Sequence, residues 1–323
     1  YQQAIDCYDQ AIVLNPEHIE AYVNKGRAFQ GLGDDHKALE ALTTAIGLKP
    51  DCAEAYYYRA VSFHRLLKDE KGIENLDQAI KLNPSYVEAF YLRGVLYRAK
   101  KDYKQAISNF DKVLELDPDF SKAYLEKGNA LGFLFRFPEA IQNIEEYIAL
   151  NPDDASGYLA KGAALEGTGA RQEALDFFEV AVALNPDKIS YERKALCCQT
   201  LGRFEEALEA YNVALAMAPM DSKLYYYRGV LQQAMGRKQD ALESFEKAIV
   251  HKTDIMSAYL QKGILLQGMN KHKEAIEAFD QVLIKNPLDL STMKQKQISL
   301  KKLQNSGPNG TTGNTANTNI QNI

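Results

Sequence analysis

The sequence predicts an all-α fold, a solenoid of stacked helix pairs, on three observations. Prolines fall at Pro16, Pro50, Pro84, Pro118, Pro152 and Pro186, each 34 residues after the last; Pro219 arrives one residue early and Pro287 follows it by twice 34. A period in this range marks a repeat array, and it overrides the expectation of about two globular domains that the chain length would otherwise raise. Between the prolines, two sets of columns recur at helical spacing, one in each half of the period.

The elements follow in chain order. Ala4–Ile5 and Pro16 match the second half of a period, so residues 1–18 read as the second half of a truncated repeat, and an upstream part is expected. Each complete unit opens on an aromatic residue: Tyr22, Tyr56, Phe90, Tyr124, Tyr158, Tyr191, Tyr225 and Tyr259. Four residues later stands a small one: Gly26, Ala60, Gly94, Gly128, Gly162, Ala195, Gly229 and Gly263. Glycine inside a helix costs about 1 kcal/mol relative to alanine. A column of it therefore predicts the close approach of a second helix.

Gly33, Gly169, Gly202 and Gly236 fall between the halves, where a left-handed C-terminal cap is expected. Leu67, Lys101 and Phe135 replace that glycine in three units, so those turns are expected to lack the glycine cap. The second half carries a small residue followed by Leu or Ile, as in Ala38–Leu39, Ala106–Ile107 and Ala241–Leu242. Four residues beyond the small residue is a large apolar one: Leu42, Leu76, Phe110, Ile144, Phe178, Tyr211, Phe245 and Phe279. These spacings share one helical face. Proline then ends the helix, and Asp51–Glu54 and Ser85–Glu88 stand at capping-box spacing for the next one.

Eight complete units result: 19–52, 53–86, 87–120, 121–154, 155–187, 188–221, 222–255 and 256–289. The unit 155–187 is one residue short, which predicts a tightened loop before Tyr191. Lys252–Thr253 stands where Asn–Pro is usual, which predicts altered packing near 251–256. Residues 290–303 fit an amphipathic helix with Lys294, Lys296, Lys301 and Lys302 outside, read as a cap on the array. A basic docking site for an acidic partner is the alternative reading of that helix. Residues 304–323, rich in Asn, Thr and Gly, are expected to be disordered.

On these residues the chain resembles the tetratricopeptide repeat (TPR) family, whose pattern is aromatic, small, apolar, Ala, Phe, Ala and Pro over 34 residues. Tyr124, Gly128, Leu131, Ala140 and Pro152 show it in one unit; Tyr225, Gly229, Ala241, Phe245 and Ala248 show it in another. The resemblance extends from residue 1 to about 303. It implies a right-handed α-solenoid superhelix of helix-turn-helix units. It also implies that the first helix of each unit lines a concave groove with its second, fifth, ninth, twelfth and thirteenth positions.

Read here, the fifth and ninth positions make a mostly apolar, partly aromatic stripe. The candidate partner-binding residues are Tyr57, Val61, Arg65, Tyr91, Val95, Arg98, Leu125, Asn129 and Phe133, with Tyr226 and Val230 further on. Tyrosine offers large contact area and a polar tip at little entropic cost, which suits a binding surface. The plainer alternative is that Tyr57, Tyr91 and Tyr226, and still more Tyr58 and Tyr227, only seal contacts between repeats.

Several functions are disfavoured. The groove that grips a C-terminal carboxylate in TPR co-chaperones needs Lys at the fifth position and Asn at the ninth. No unit has that Lys, and Asn129 is paired with Leu125. The asparagine ladder that O-linked N-acetylglucosamine transferase carries along the sixth position is also missing, that column reading Asn24, Tyr58, Leu92, Glu126, Ala160, Arg193, Tyr227, Gln261. A net charge of −5 gives no strong pull toward nucleic acid or anionic lipid, and no apolar run approaches the length of a membrane span. The five histidines are scattered and no glycine-rich phosphate loop occurs, so no catalytic site, metal or cofactor is expected. Cys7, Cys52, Cys197 and Cys198 show neither metal nor disulfide spacing and read as small buried hydrophobes in a reducing, cytoplasmic setting. The expected function is a non-enzymatic scaffold that binds protein segments or partner helices. The alternative is the substrate-recruiting arm of an enzyme whose catalytic domain lies outside this chain.

Overall fold

The computed structural model describes residues 1–252 and 256–305, and among them every regular element is an α-helix. Two compact parts are distinguished, Tyr1–Leu184 and Asn185–Ile323. The first holds α1 (Gln2–Leu14), α2 (Ile19–Gly31), α3 (Asp35–Leu48), α4 (Ala53–Arg65), α5 (Asp69–Leu82), α6 (Val87–Ala99), α7 (Tyr103–Leu116), α8 (Ser121–Phe133), α9 (Phe137–Leu150), α10 (Ala155–Thr168) and α11 (Arg171–Leu184). The second holds α12 (Lys188–Thr200), α13 (Phe204–Met217), α14 (Ser222–Ala234), α15 (Lys238–His251), α16 (Met256–Gly268), α17 (His272–Lys285) and α18 (Leu290–Asn305). Within each part, consecutive helices pack in chain order, and the first helices of neighbouring pairs also touch, as α4 touches α6 and α14 touches α16.

The glycine column has the steric cause its spacing predicts. A Cβ on Gly94 would stand 2.6 Å from the Phe110 ring, on Gly162 2.5 Å from Phe178, and on Gly263 2.5 Å from Phe279. Each glycine of the first helix thus opens the slot that the large residue of the second helix fills, and those large residues are fully buried. One pair exchanges volume differently. Tyr147 occupies the column that holds Ala45 and Ala79, and Gly157 sits in the column of Ala55 and Ala89. A Cβ on Gly157 would lie 2.9 Å from the Tyr147 ring and 2.7 Å from Ile148. The buried ring has taken the space of two methyl groups.

All eight turns between paired helices keep a left-handed residue. Gly33, Gly169, Gly202 and Gly236 supply it with φ of 76 to 88°, but so do Leu67 (57°), Lys101 (62°), Phe135 (59°) and Asn270 (62°). The absence of glycine therefore does not abolish the cap. The amide after each left-handed residue returns to a carbonyl five residues back, Lys68 to Phe63 and Arg136 to Leu131 among them, and this closure dictates the conformation. A non-glycine residue there bears about 1 kcal/mol of strain.

Helix starts differ from the sequence expectation. The N-caps of α4 and α6 are Cys52 and Tyr86, one residue beyond Asp51 and Ser85, and neither side chain caps. Aspartates cap elsewhere: Asp34, Asp102, Asp154, Asp187 and Asp221 each accept from a backbone amide of the helix they precede. The loop before α12 has three residues where every other loop between pairs has four, so the missing residue of the short period falls there. Lys252 ends α15 with the same extended geometry that precedes proline elsewhere; the rest of the expected change near 251–256 lies outside the described residues. Cys197 and Cys198 are buried as expected, whereas Cys7 is exposed and Cys52 half-buried.

A basic column joins the repeats. The seventh residue of the first helices α2, α4, α6, α8, α10, α14, α16 and α18 reaches back sixteen residues to the preceding second helix. In the first part, Lys25 meets Asp9, Arg59 meets Thr43, Arg93 meets Asp77 at 2.5 Å, Lys127 meets Asp111 at 2.7 Å and Lys161 meets Glu145 at 2.8 Å. In the second, Arg228 meets Asn212 at 2.9 Å, Lys262 meets Glu246 at 2.9 Å and Lys296 meets Asp280 at 2.5 Å. The arginines also bond forward into their own pair, Arg59 to Asn75 and Arg93 to Asn109, both at 2.7 Å. Each rung thereby sets the register of one pair on the next.

The rung at Lys296 makes α18 a further first helix. Gln267 donates to the Gln295 carbonyl and to Ser299, as Gln30 donates to the Tyr58 carbonyl and to Ser62. Gln297 stands in the small-residue column and, like Leu300, is exposed. The side that meets a second helix elsewhere is here partly polar. Gln304 and Asn305 close α18, and the remainder of the tail expected to be disordered lies outside the described residues.

Candidate peptide-binding groove

The stripe residues stand on first helices because the columns that face each second helix are already filled by the glycine, alanine and aromatic positions. In the part Tyr1–Leu184, α4 presents Tyr57, Val61 and Arg65, α6 presents Tyr91, Val95 and Arg98, and α8 presents Leu125, Asn129 and Phe133. Tyr226 and Val230 stand on α14 in the other part, packed against the cluster around Phe245, and form a separate stretch.

The tyrosines are half-buried joints as well as surface. Tyr57 lies 5.0 Å from the Tyr86 ring and 5.1 Å from Tyr58; Tyr91 lies 5.0 Å from Phe120 and 6.0 Å from Phe110. Tyr86 and Phe120 are the N-caps of the next first helices, so the fifth position of one pair braces the entry to the following one. Burial pushes the Tyr57 hydroxyl up to about 12. Burial also raises Tyr91, with the Glu126 carboxylate adding and the Arg98 guanidinium opposing. Both rings stay neutral across the ordinary pH range.

The arginines are already engaged. Arg65 donates to the Gln30 carbonyl at 2.7 Å and lies 3.8 Å from the buried Asp35 carboxylate. Arg98 pairs with Glu126 at 2.7 Å. Phe133 is exposed, and its ring stacks on Tyr103 at 4.8 Å and 9°, at the start of α7. Val61, Val95, Leu125 and Asn129 remain half-buried between these contacts, and the Asn129 amide has no hydrogen bond. The arrangement is an apolar floor with one free amide and two arginines whose partners hold them in place.

An open cleft of about 470 Å³ lies beside this stretch, lined by Asn24, Arg27, Gln30, Tyr58 and Arg65 among others. Arg27 stacks over the Tyr58 ring at 4.8 Å and bonds Asn24 at 3.1 Å. Arg27 and Gln30 fall on groove columns, but only their position, and no chemical peculiarity, marks them in the sequence. Among the described residues no group of His, Cys, Asp and Glu could hold a metal ion, and no helix is long and apolar enough to cross a membrane.

Helix pairs of this spacing, a glycine or alanine slot in the first helix of each pair and a left-handed turn in each pair define a helical-repeat protein. Family models described as Tetratricopeptide repeat match residues 19–52, 87–120, 122–189, 199–254 and 257–283, and the chain belongs to that family. Its members serve generally as protein-interaction scaffolds. Comparison with curated proteins finds no match. Among solved structures, a tetratricopeptide repeat protein from Parabacteroides merdae is 19% identical, with 77% of this chain and 98% of that one covered and a TM-score of 0.63. The Cut9–Hcn1 hetero-tetramer of the APC/C gives 14% identity, 91% and 58% coverage and a TM-score of 0.59. PilF of Pseudomonas aeruginosa gives 17% identity, 62% and 92% coverage and a TM-score of 0.54. At these identities the likeness is one of fold.

Proposed function

We propose that the chain is a non-enzymatic scaffold of eight repeat units between a half-unit and a capping helix, and that it binds peptide segments of protein partners along its first helices. The observation that carries this is the floor of Val61, Val95 and Leu125 between braced tyrosines, apolar and partly uncovered although the same helices bury their other faces. A bound segment lays apolar side chains over Val61 and Val95, and its backbone meets the free amide of Asn129. Arg65 and Arg98, held by Gln30 and Glu126, offer remaining donors at the rim. The reading places the protein in the cytoplasm with protein partners, without cofactor or metal.

Val61→Glu with Val95→Glu puts two charges on that floor while leaving the tyrosine joints intact. Partners co-purified with the wild-type chain are expected to be lost from the double variant at a temperature where its helical content matches the wild type. Equal recovery of the same partners by both chains sinks the reading.

A further inference from the structure

The turn between α8 and α9 carries a cluster that the groove does not use. Phe135 takes a left-handed conformation at φ 59°, yet its side chain is 79% exposed. Neither backbone preference nor burial favours phenylalanine there. The equivalent turns hold glycine at 33, 169, 202 and 236, and Leu67, Lys101 and Asn270 in the rest.

The ring is nevertheless held. It meets Phe137 edge-on at 5.9 Å and 89°, and Phe137 sits so close to α10 that a Cβ on Gly167 would come within 2.2 Å of it. Phe133, 58% exposed, is held by its stack on Tyr103. An exposed aromatic surface fixed by its neighbours loses little freedom when something lands on it.

The charges around the rings are not balanced. Lys100 pairs with Glu70 at 3.0 Å and Arg136 with Glu139 at 2.5 Å. Lys101, on the preceding turn, and Lys104, in the first turn of α7, are exposed and make no ion pair. Asp102, exposed between them, caps α7 at the Gln105 amide, so the edge keeps one positive charge in excess on a chain of net charge −5.

We propose that this edge, formed by Tyr103, Phe133 and Phe135 with Lys101 and Lys104, docks an acidic linear peptide that carries a large apolar or aromatic anchor. The anchor side chain lies against the Phe133 and Phe135 rings, and flanking carboxylates meet the two free ammonium groups. The aromatic rings supply contact area and the lysines select sign, so a basic peptide of the same anchor is rejected. The surface lies at the turn edge, apart from the Val61–Val95 floor, and stands or falls independently of it.

The test is fluorescence anisotropy of the full chain with labelled peptides of roughly ten residues. One set flanks Phe, Trp or Leu with Asp and Glu, and a second set flanks the same anchors with Lys. The acidic set is expected to bind, the basic set not. Phe135→Gly removes the ring at a position where glycine is unstrained, so affinity is expected to fall about tenfold or more while the thermal midpoint does not drop. Lys101→Glu with Lys104→Glu is expected to weaken binding at least as much and to flatten its salt dependence. The proposal is overturned if no acidic peptide binds or if Phe135→Gly binds as well as wild type. Phe135-dependent sedimentation with phosphatidylserine vesicles, in the absence of peptide binding, also overturns it and assigns the edge to a membrane surface.

Discussion

Replacing Gly157 by alanine tests whether the exchange with Tyr147 is steric. The new Cβ would stand 2.7 Å from Ile148 and 2.9 Å from the Tyr147 ring, both inside van der Waals contact. Tyr147 is only 5% exposed, so its ring has little room to move. Overpacking of this kind costs about 1–3 kcal/mol, and the helix gains back about 1 kcal/mol on losing a glycine. The expected net cost is about 1 kcal/mol. Tyr147→Ala alone leaves a cavity and removes the hydroxyl's bond to Asp154, for a loss of about 3–5 kcal/mol. In that background the contact with the ring is gone but the Ile148 contact at 2.7 Å remains, so the cost of Gly157→Ala should fall without vanishing. The two substitutions should therefore couple by about 1 kcal/mol. Native-state hydrogen exchange of amides in α9 and α10 reads this locally, which matters because long arrays need not unfold in one step. If Gly157→Ala costs the same with and without the Tyr147 ring, the approach of that ring is not what fixes glycine here.

Other expectations rest on single contacts. Leu67→Gly relieves a left-handed leucine that is 87% exposed and should raise the urea midpoint, by about 0.5–1 kcal/mol after glycine's own entropic cost; an unchanged or lower midpoint would show that the turn is not strained. Asp154 is held below the usual carboxylate range, chiefly by the Tyr147 hydroxyl and then by the Ser156 amide. Its folded value is depressed, so its contribution is present above the unfolded value near 3.9 and lost as pH falls through the lower folded value. Acid titration of stability should therefore be shallower below about pH 4 in Asp154→Asn than in wild type. Arg93 bonds Asp77 on one side and Asn109 on the other, so Arg93→Met should cost about 1–2 kcal/mol. Lys at the same place should recover only the Asp77 half, as denaturant melts of the three chains would show.

The columns made most of the fold legible because each is a one-dimensional trace of a contact repeated in every period. Gly94 and Phe110 sit sixteen residues apart, and that offset recurs at Gly162 with Phe178 and Gly263 with Phe279. The basic column from Lys25 to Lys296 recurs as regularly and is equally visible. Its meaning is not, since its partner lies on the preceding pair and is Asp, Glu, Asn or Thr in different rungs. The capping residues were misplaced by one because the chain turns through Asp51 and Ser85 before the helix begins. The left-handed state of Leu67, Lys101 and Phe135 is imposed by backbone closure, which residue preference does not report.

The candidate groove was legible in position but not in state. Periodicity places Tyr57, Tyr91, Arg65 and Arg98 on the proper helices. It does not tell that Arg98 is already paired with Glu126, or that Tyr57 is stacked on Tyr86. Nor does the column tell that the Phe133 ring stacks on Tyr103 of the neighbouring pair.

The rungs of the basic column have a mechanical consequence. Each is a partly exposed ion pair or hydrogen bond placed at a joint between neighbouring pairs, and none spans more than one joint. Salt screens such pairs together. Ionic strength therefore acts in one direction on the ion-paired joints within each part, so that salt loosens several of them together, while the rungs to the neutral Thr43 and Asn212 are spared.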